Sequence, residues 1–402
     1  MQRIKKVIAF LFLFMLFYLE PIQVFGNITF SQLWKIPFVL FLLFKVLTIK
    51  NPITATFTKV AYGRAIKNLM NGGMFRNYIP ELIDFIRYMM FPLIYTFVLN
   101  TPRIRSKVDV LLKGFAQFII LSGIPFILGM VESLGRTIEI GDDFTSFVGL
   151  FQNPHVAAIS TAVSLLVILY YLNWRNSNIV SRAWNIFLFG LGLYILFQTF
   201  VRTGYVTFLL GIFILYMPKR ISPRQIAGIA FLAVASVFTI SYLLENNELF
   251  FNRIFDIRNG KQTELGSGRL IFWAGVVEMW LNGNLFHLLF GFGYEALTDS
   301  MYLLTGLRIF AHSEFFTQLG QNGLIGIILF VWFVFSLFLF IRKRKQCKSY
   351  RLALAVFFLN LSVMLTQGGV VFPLDVITVF ILVKLTIEFM QLQSHKTIKH
   401  GD

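Results

Sequence analysis

The sequence predicts an all-α fold: a polytopic transmembrane helix bundle of 10–12 spans with one large, partly helical loop on its outer side. Three observations predict it. The 402 residues are 57% hydrophobic and only 14% charged, whereas a soluble domain carries about 25% charge because its surface faces water. Apolar runs long enough to cross a bilayer as helix, about 20 residues, recur along the chain. Lys and Arg collect on alternate connections between these runs, as the positive-inside rule requires.

The elements follow in order. Arg3, Lys5 and Lys6 precede an apolar run from Val7 to Leu19. No small-residue cleavage site follows, and Glu20-Pro21 suits the end of an uncleaved first span better than a signal peptide. Further spans are expected near 7–26, 33–49, 108–130, 154–172, 183–200, 203–217, 225–244, 315–341, 351–367 and 373–391. The cytoplasmic side is marked by Arg103, Arg105 and Lys107, by Arg175 and Arg182, by Lys219, Arg220 and Arg224, and most strongly by Arg342, Lys343, Arg344, Lys345, Lys348 and Arg351. Between these lie the outer connections: 131–153, the short turn at Arg202, and Glu245–Ala311, whose seven acidic and five basic residues lack an inside bias. The chain thus reads as one integral membrane domain, 1–402, with 245–311 as its large outer loop.

One segment conflicts with this alternation. An inside N-terminus requires an even number of crossings before Arg103, yet 79–99, which holds Asp84, Arg87 and Pro92, would make three. Either 79–99 is re-entrant or the polar stretch Asn51–Tyr78 hides a poor crossing; the sequence leaves both open.

The net charge of +17 is placed where topology needs it, so nucleic-acid binding is not expected. The single Cys347 excludes disulfides and Cys-based metal sites. No phosphate loop, dinucleotide fingerprint, zinc cluster or Ser/His/Asp signature appears, and no cofactor or metal is expected.

Three residues on the outer side suggest chemistry. Arg202 sits in a turn too short to need a charge for solubility; a snorkelling anchor to lipid phosphate is the plainer alternative. Arg269 follows Gly266-Ser267-Gly268, where glycines allow close backbone approach and a guanidinium offers paired donors to phosphate. It opens 269–281, where Leu270, Trp273, Val277 and Trp280 share one face of an amphipathic helix expected at the membrane surface. His312, in Ala311-His312-Ser313-Glu314, begins a span; the electropositive helix start keeps an imidazole neutral and able to take a proton from a hydroxyl. Structural roles at a turn or cap compete for each. Gly320, Gly323 and Gly326 form a small-residue stripe that lets another helix pack close. Asn153, His155 and Glu314 are candidate cavity-lining residues. Glu278 and His287 read as loop surface, and Asp375, Lys384 and Glu388 as residues that pair with one another or snorkel.

These motifs resemble a family. His312-Ser313, nine residues, Gly323, two residues, Gly326 is similar to the signature of bacterial O-antigen polymerases and O-antigen ligases. Arg202-Thr203-Gly204 entering a span, Gly268-Arg269-Leu270 with Trp273 and Gly291-Phe292-Gly293, and Gly149–His155 resemble further family segments, although His155 stands where the family more often has Asn. The resemblance covers roughly 145–330. It implies a metal-independent glycosyltransferase of a bacterial inner membrane, multi-pass, with its site and the loop 245–311 facing the periplasm. Glycan would move from a polyprenyl-diphosphate carrier to a carrier-linked repeat unit (polymerase) or to the lipid A core (ligase). Arg202 and Arg269 would hold the diphosphate, and His312 would deprotonate the acceptor hydroxyl or orient the diphosphate. Partners implied are the lipid-linked oligosaccharide, membrane lipid, and assembly proteins such as a flippase and a chain-length regulator. A transporter or lipid flippase is the alternative of another class, disfavoured because no repeat symmetry is visible.

Overall fold

The computed structural model describes residues 23–25, 28–75, 78–135, 137, 145–172, 178–217, 257–258, 261–262, 269–305, 311–368 and 371–399. The expected spans at 7–26 and 225–244, apart from 23–25, lie outside the described residues, as does much of the loop 245–311. The bundle helices are α1 (Phe30–Leu47), α2 (Thr56–Phe75), α3 (Tyr78–Asn100), α4 (Val108–Leu121), α5 (Pro154–Leu172), α6 (Ile179–Gln198) and α7 (Arg202–Tyr216). The loop contributes α8 (Arg269–Leu281), α9 (Leu285–Phe290) and α10 (Gly293–Thr305), and the chain closes with α11 (Glu314–Arg342), α12 (Tyr350–Thr366) and α13 (Phe372–Lys399). Two antiparallel pairs of two or three residues, Gln23–Phe25 with Ile28–Thr29 and Ile257–Arg258 with Lys261–Gln262, add no layer. The protein is an all-α, polytopic membrane bundle.

Among the described residues five helical segments are long and apolar enough to cross a bilayer: Glu81–Asn100, Val108–Ile127, Pro154–Leu172, Ile179–Gln198 and Glu314–Arg342; α7 and α12 are shorter apolar helices. One continuous apolar core joins them, with α5 at its centre: Ala157, Ala158, Ile159, Ala162, Val163, Leu165, Leu166 and Val167 are all buried. Small residues set the spacing around α5. A Cβ on Gly204 would come within 2.7 Å of the Ala158 Cβ, and one on Gly192 within 2.7 Å of Leu165. In a bilayer, where burial of apolar surface does not drive association, such close contacts are what hold helices together.

The polar stretch before 79–99 is helical, as α2. This helix lies antiparallel along α3: at one end Asn100 accepts from Ile53 N–H at 2.7 Å, and further along the Arg64 guanidinium sits 4.0 Å from the Tyr88 ring centre. The pair enters and leaves at the same end of the bundle. A hydropathy scan misses α2 because its polar residues face inward, with Arg64, Lys67, Asn68 and Asn71 all buried.

At the glycine stripe α11 is approached closely by the loop's helices α8 and α10, through Val276 and Leu297. Gly320 and Gly323 meet the loop: Cβ atoms there would lie 2.8 Å from Leu297 and 2.5 Å from the Gly291 nitrogen. Gly323 (φ 64°, ψ −160°) breaks α11 where the loop docks, and Gly320 C=O accepts from Phe292 N–H at 2.9 Å. One face of α8 packs on the rest of the loop and on α11. Phe272, Trp273, Val276 and Met279 pack with Leu297, Met301, Ala311 and Phe316 in a second small core, while Leu270 points outward.

Candidate functional site at one end of the bundle

The three predicted residues open three helices: Arg202 is the first residue of α7, Arg269 the first of α8, and His312 lies two residues before α11. The turn between α12 and α13 ties two of these starts together. Gln367 donates through Nε2 to the Thr203 hydroxyl at 2.9 Å, next to Arg202. Its backbone carbonyl accepts from the His312 ring. Gly368 (φ 65°) lies against Ser313, where a Cβ would approach the Ser313 nitrogen to 3.1 Å. Arg269 is near enough for its charge to be felt at the imidazole, and the Phe272 ring, from the first turn of α8, lies 5.9 Å from it, centre to centre. Gln367 was not singled out from the sequence, because nothing in the motif Thr366-Gln367-Gly368 signals that it bridges two distant segments.

The imidazole is set up to be neutral. Burial, and then the neighbouring Arg269 charge, push the His312 pKa below its ordinary value of 6.5, while the bond to the Gln367 backbone opposes them. One ring nitrogen donates to that carbonyl, so the other carries the lone pair of a base. The backbone here is strained. His312 (φ 50°) and Phe200 (φ 52°), two residues before Arg202, are two of three non-glycine residues with positive φ among those described. Such conformations cost about 1–3 kcal/mol each and persist where surrounding structure enforces them.

The electrostatics of this end favour an anion. The starts of α7, α8 and α11 carry positive dipole ends, and Arg202 and Arg269 stand where a cation is itself disfavoured by the dipole. Asn153 and His155 belong to the same end, since α5 and α7 meet near their starts at Ala158 and Gly204. Asn153 caps α5, accepting from Val156 N–H at 3.0 Å. Among the described residues no three His, Cys, Asp or Glu side chains group as a metal ion would need.

Glu314 lies inside the bundle, not at its rim. Its carboxylate is ion-paired with Arg64 and accepts from Tyr88 Oη at 2.7 Å and Gln318 Nε2 at 3.0 Å. The network continues: Gln321 Nε2 donates to Glu81 and Asp84 at 2.9 and 3.1 Å, Asp84 pairs with Arg87 at 3.0 Å, and Glu81 accepts from Tyr294 N–H at 2.9 Å. It thereby binds α2, α3, α10 and the first turns of α11 into one unit directly beneath His312. With Arg64, Lys67 and Arg87 set against Glu81, Asp84 and Glu314, it is charge-balanced and reads as a support for the site rather than an anion pocket. Asp375 does not pair with Lys384 or Glu388. It lines a small cavity with Arg64, Arg87 and Tyr88, whereas Lys384 pairs with Asp109 and, at 3.5 Å, with Glu388.

Fold and site together define a class: a multi-pass membrane protein with two guanidinium-bearing helix starts and a neutral imidazole at one end. Residues 187–331, which include Arg202, Arg269 and His312, match the family model described as O-antigen ligase. The match bears out the resemblance read from the motifs and supports placing the chain in the O-antigen polymerase/ligase family. A search of curated proteins returned no match.

Proposed function

We propose that this protein is a surface-polysaccharide polymerase that transfers glycan from a polyprenyl-diphosphate carrier to a carrier-linked repeat unit, at the periplasmic face of a bacterial inner membrane. The observation that carries the reading is the linkage of Thr203 and His312 through Gln367, with Arg269 beside the imidazole. Transfer breaks the bond from the anomeric carbon to the carrier's phosphate oxygen and forms one to an acceptor hydroxyl oxygen. Negative charge grows on the leaving diphosphate, where Arg202, Arg269 and the helix starts stabilise it. The acceptor proton passes to the free nitrogen of His312. Nothing in this sequence of steps requires a metal ion, because the cations are built into the chain. Both substrates are lipid-anchored, so the bundle supplies the membrane context and the loop covers the sugars. A flippase and a chain-length regulator are the expected neighbours in assembly.

The ligase reading, with lipid A core as acceptor, is favoured by one observation, the description of the matching family model. The test is the lipopolysaccharide banding pattern of a null strain. Loss of a polymerase leaves core capped with a single repeat; loss of a ligase leaves bare core and polymer retained on its carrier. Complementation with the wild-type chain restores the ladder and His312→Ala does not. Normal chain length with Arg202→Ala, Arg269→Ala and His312→Ala would overturn the catalytic assignment.

A further inference from the structure

Along one flank of α8, between its packed and exposed faces, runs a groove of about 530 Å³, lined by Trp273, Ala274, Val277, Leu281 and Phe316, with Glu278 and Asn282 along its edge. This falls in the range of small-molecule sites, about 300–1,000 Å³. From Trp273 to Asn282 it follows the helix for about 13 Å at 1.5 Å per residue, the length of a short oligosaccharide rather than one ring. Its floor is rigid. Trp273 stacks on Phe316 (centroids 5.1 Å apart, planes at 15°), and its indole N–H donates to Ala311 C=O at 2.9 Å. That carbonyl belongs to the residue before His312.

Its edge is polar and open to solvent. Glu278 and Asn282 lie one helical turn apart, and both are exposed. This combination discriminates between occupants. A polyprenyl tail lying in the groove would strip water from a carboxylate and an amide and return no hydrogen bonds. A phosphate would meet the Glu278 charge. A neutral saccharide suits both surfaces, with its C–H faces on the aromatic floor and its hydroxyls donating to Glu278 and Asn282.

We infer that the α8 groove is a glycan subsite, in which Trp273, Phe316, Glu278 and Asn282 hold sugar rings leading away from His312. The inference rests on the transferase reading but is tested apart from it. The purified full chain in lipid nanodiscs, free of sugar detergents, is titrated with the carrier-free repeat-unit oligosaccharide released from the producing strain's own lipid-linked precursor. Tryptophan fluorescence and saturation-transfer NMR report binding. Saturable binding is expected, weakened about tenfold by Glu278→Gln or Asn282→Ala, the loss of a hydrogen bond of about 1–2 kcal/mol. Trp273→Phe, which keeps a stacked ring, should weaken it less, and Leu270→Ala, outside the groove, not at all. In transfer assays Glu278→Gln raises KM for the glycan while kcat stays within about twofold.

The inference is overturned if the wild-type chain shows no saturable binding or if the groove variants bind as the wild type does. It is also overturned if a sugar-free polyprenol competes for the groove. His312-dependent transfer with unaltered groove variants sinks the subsite alone. Groove-dependent sugar binding without transfer to any acceptor sinks the transferase reading and leaves the subsite standing.

Discussion

Replacing Gly323 by Ala tests how the loop is held over the bundle. Gly323 has φ 64° and ψ −160°, a region open essentially only to glycine, and forcing another residue there costs about 1–3 kcal/mol. The added Cβ would also lie 2.5 Å from the Gly291 nitrogen and 2.6 Å from the Leu289 carbonyl. Both are backbone atoms and cannot turn aside, so overpacking adds about 1–3 kcal/mol. The total, about 2–6 kcal/mol, falls on the contact of α9 and α10 with α11, and hence on the seat of His312. Gly320→Ala is the graded comparison. Its closest neighbour, at 2.8 Å, is the Leu297 Cδ1 methyl, the far end of a flexible side chain, so a smaller loss is expected. Gly63→Ala and Gly190→Ala, with nothing within 4 Å, should be neutral or slightly stabilising. Thermal unfolding in nanodiscs and hydrogen exchange across 285–305 provide the readout, with Gly323→Ala lowering both stability and loop protection. Equal behaviour of Gly323→Ala and Gly63→Ala would refute the packing argument.

Three further outcomes are expected. Arg64→Ala strands Glu314 as an uncompensated buried charge and should cost about 3–5 kcal/mol; Arg64→Met with Glu314→Gln should recover part of it, read by thermal unfolding. Gln367→Ala removes the bond to Thr203, worth about 0.5–1.5 kcal/mol, and should lower kcat about threefold to tenfold at nearly unchanged global stability. The third is a pH effect. Because burial and Arg269 lower the His312 pKa, the neutral base persists below pH 6.5, and activity falls only as pH drops through the depressed value. Protonation favours the unfolded chain, so this group's effect on stability is absent above pH 6.5 and is lost stability below it. Arg269→Gln removes the second lowering influence, so the acid limb of the pH–rate profile should move to higher pH; an unmoved limb would separate Arg269 from the imidazole.

Much of the fold was legible because bilayer solvation leaves a direct compositional trace. Apolar length located α3, α5, α6 and α11 to within a few residues, and the start of α8 at Arg269 was placed from its Gly-Ser-Gly approach. Hydropathy failed at α2 for a physical reason. A scan asks what faces lipid, whereas Arg64, Lys67 and Asn71 face the core, where Arg64 pairs with Glu314, Lys67 reaches Asn71 and the Phe290 carbonyl, and Asn71 donates to Asn322. Spacing marks Gly320, Gly323 and Gly326 as a place of close helix approach, but it cannot show the positive φ at Gly323 that breaks the helix there. Of the site, the charged residues that topology leaves unexplained, Arg202 and Arg269, could be found by asking why a cation stands on the outer side. Gln367 could not, since its role is a carbonyl and an amide reaching two segments 55 and 164 residues away. Glu314 was visible as a polar residue at a helix start, but its partners Arg64 and Tyr88 are more than 220 residues distant in the chain.

Catalysis as proposed requires Arg202, Arg269 and His312 to share one face of the membrane. Single cysteines at these positions, in a Cys347→Ala background, are exposed in intact cells to a membrane-impermeant thiol reagent added to the outer face. All three are expected to label without permeabilisation, while a cysteine at Lys343 labels only after it. If Arg202→Cys or His312→Cys labels only from the cytoplasmic side while the other labels from outside, no single diphosphate could contact both, and the catalytic proposal would be wrong.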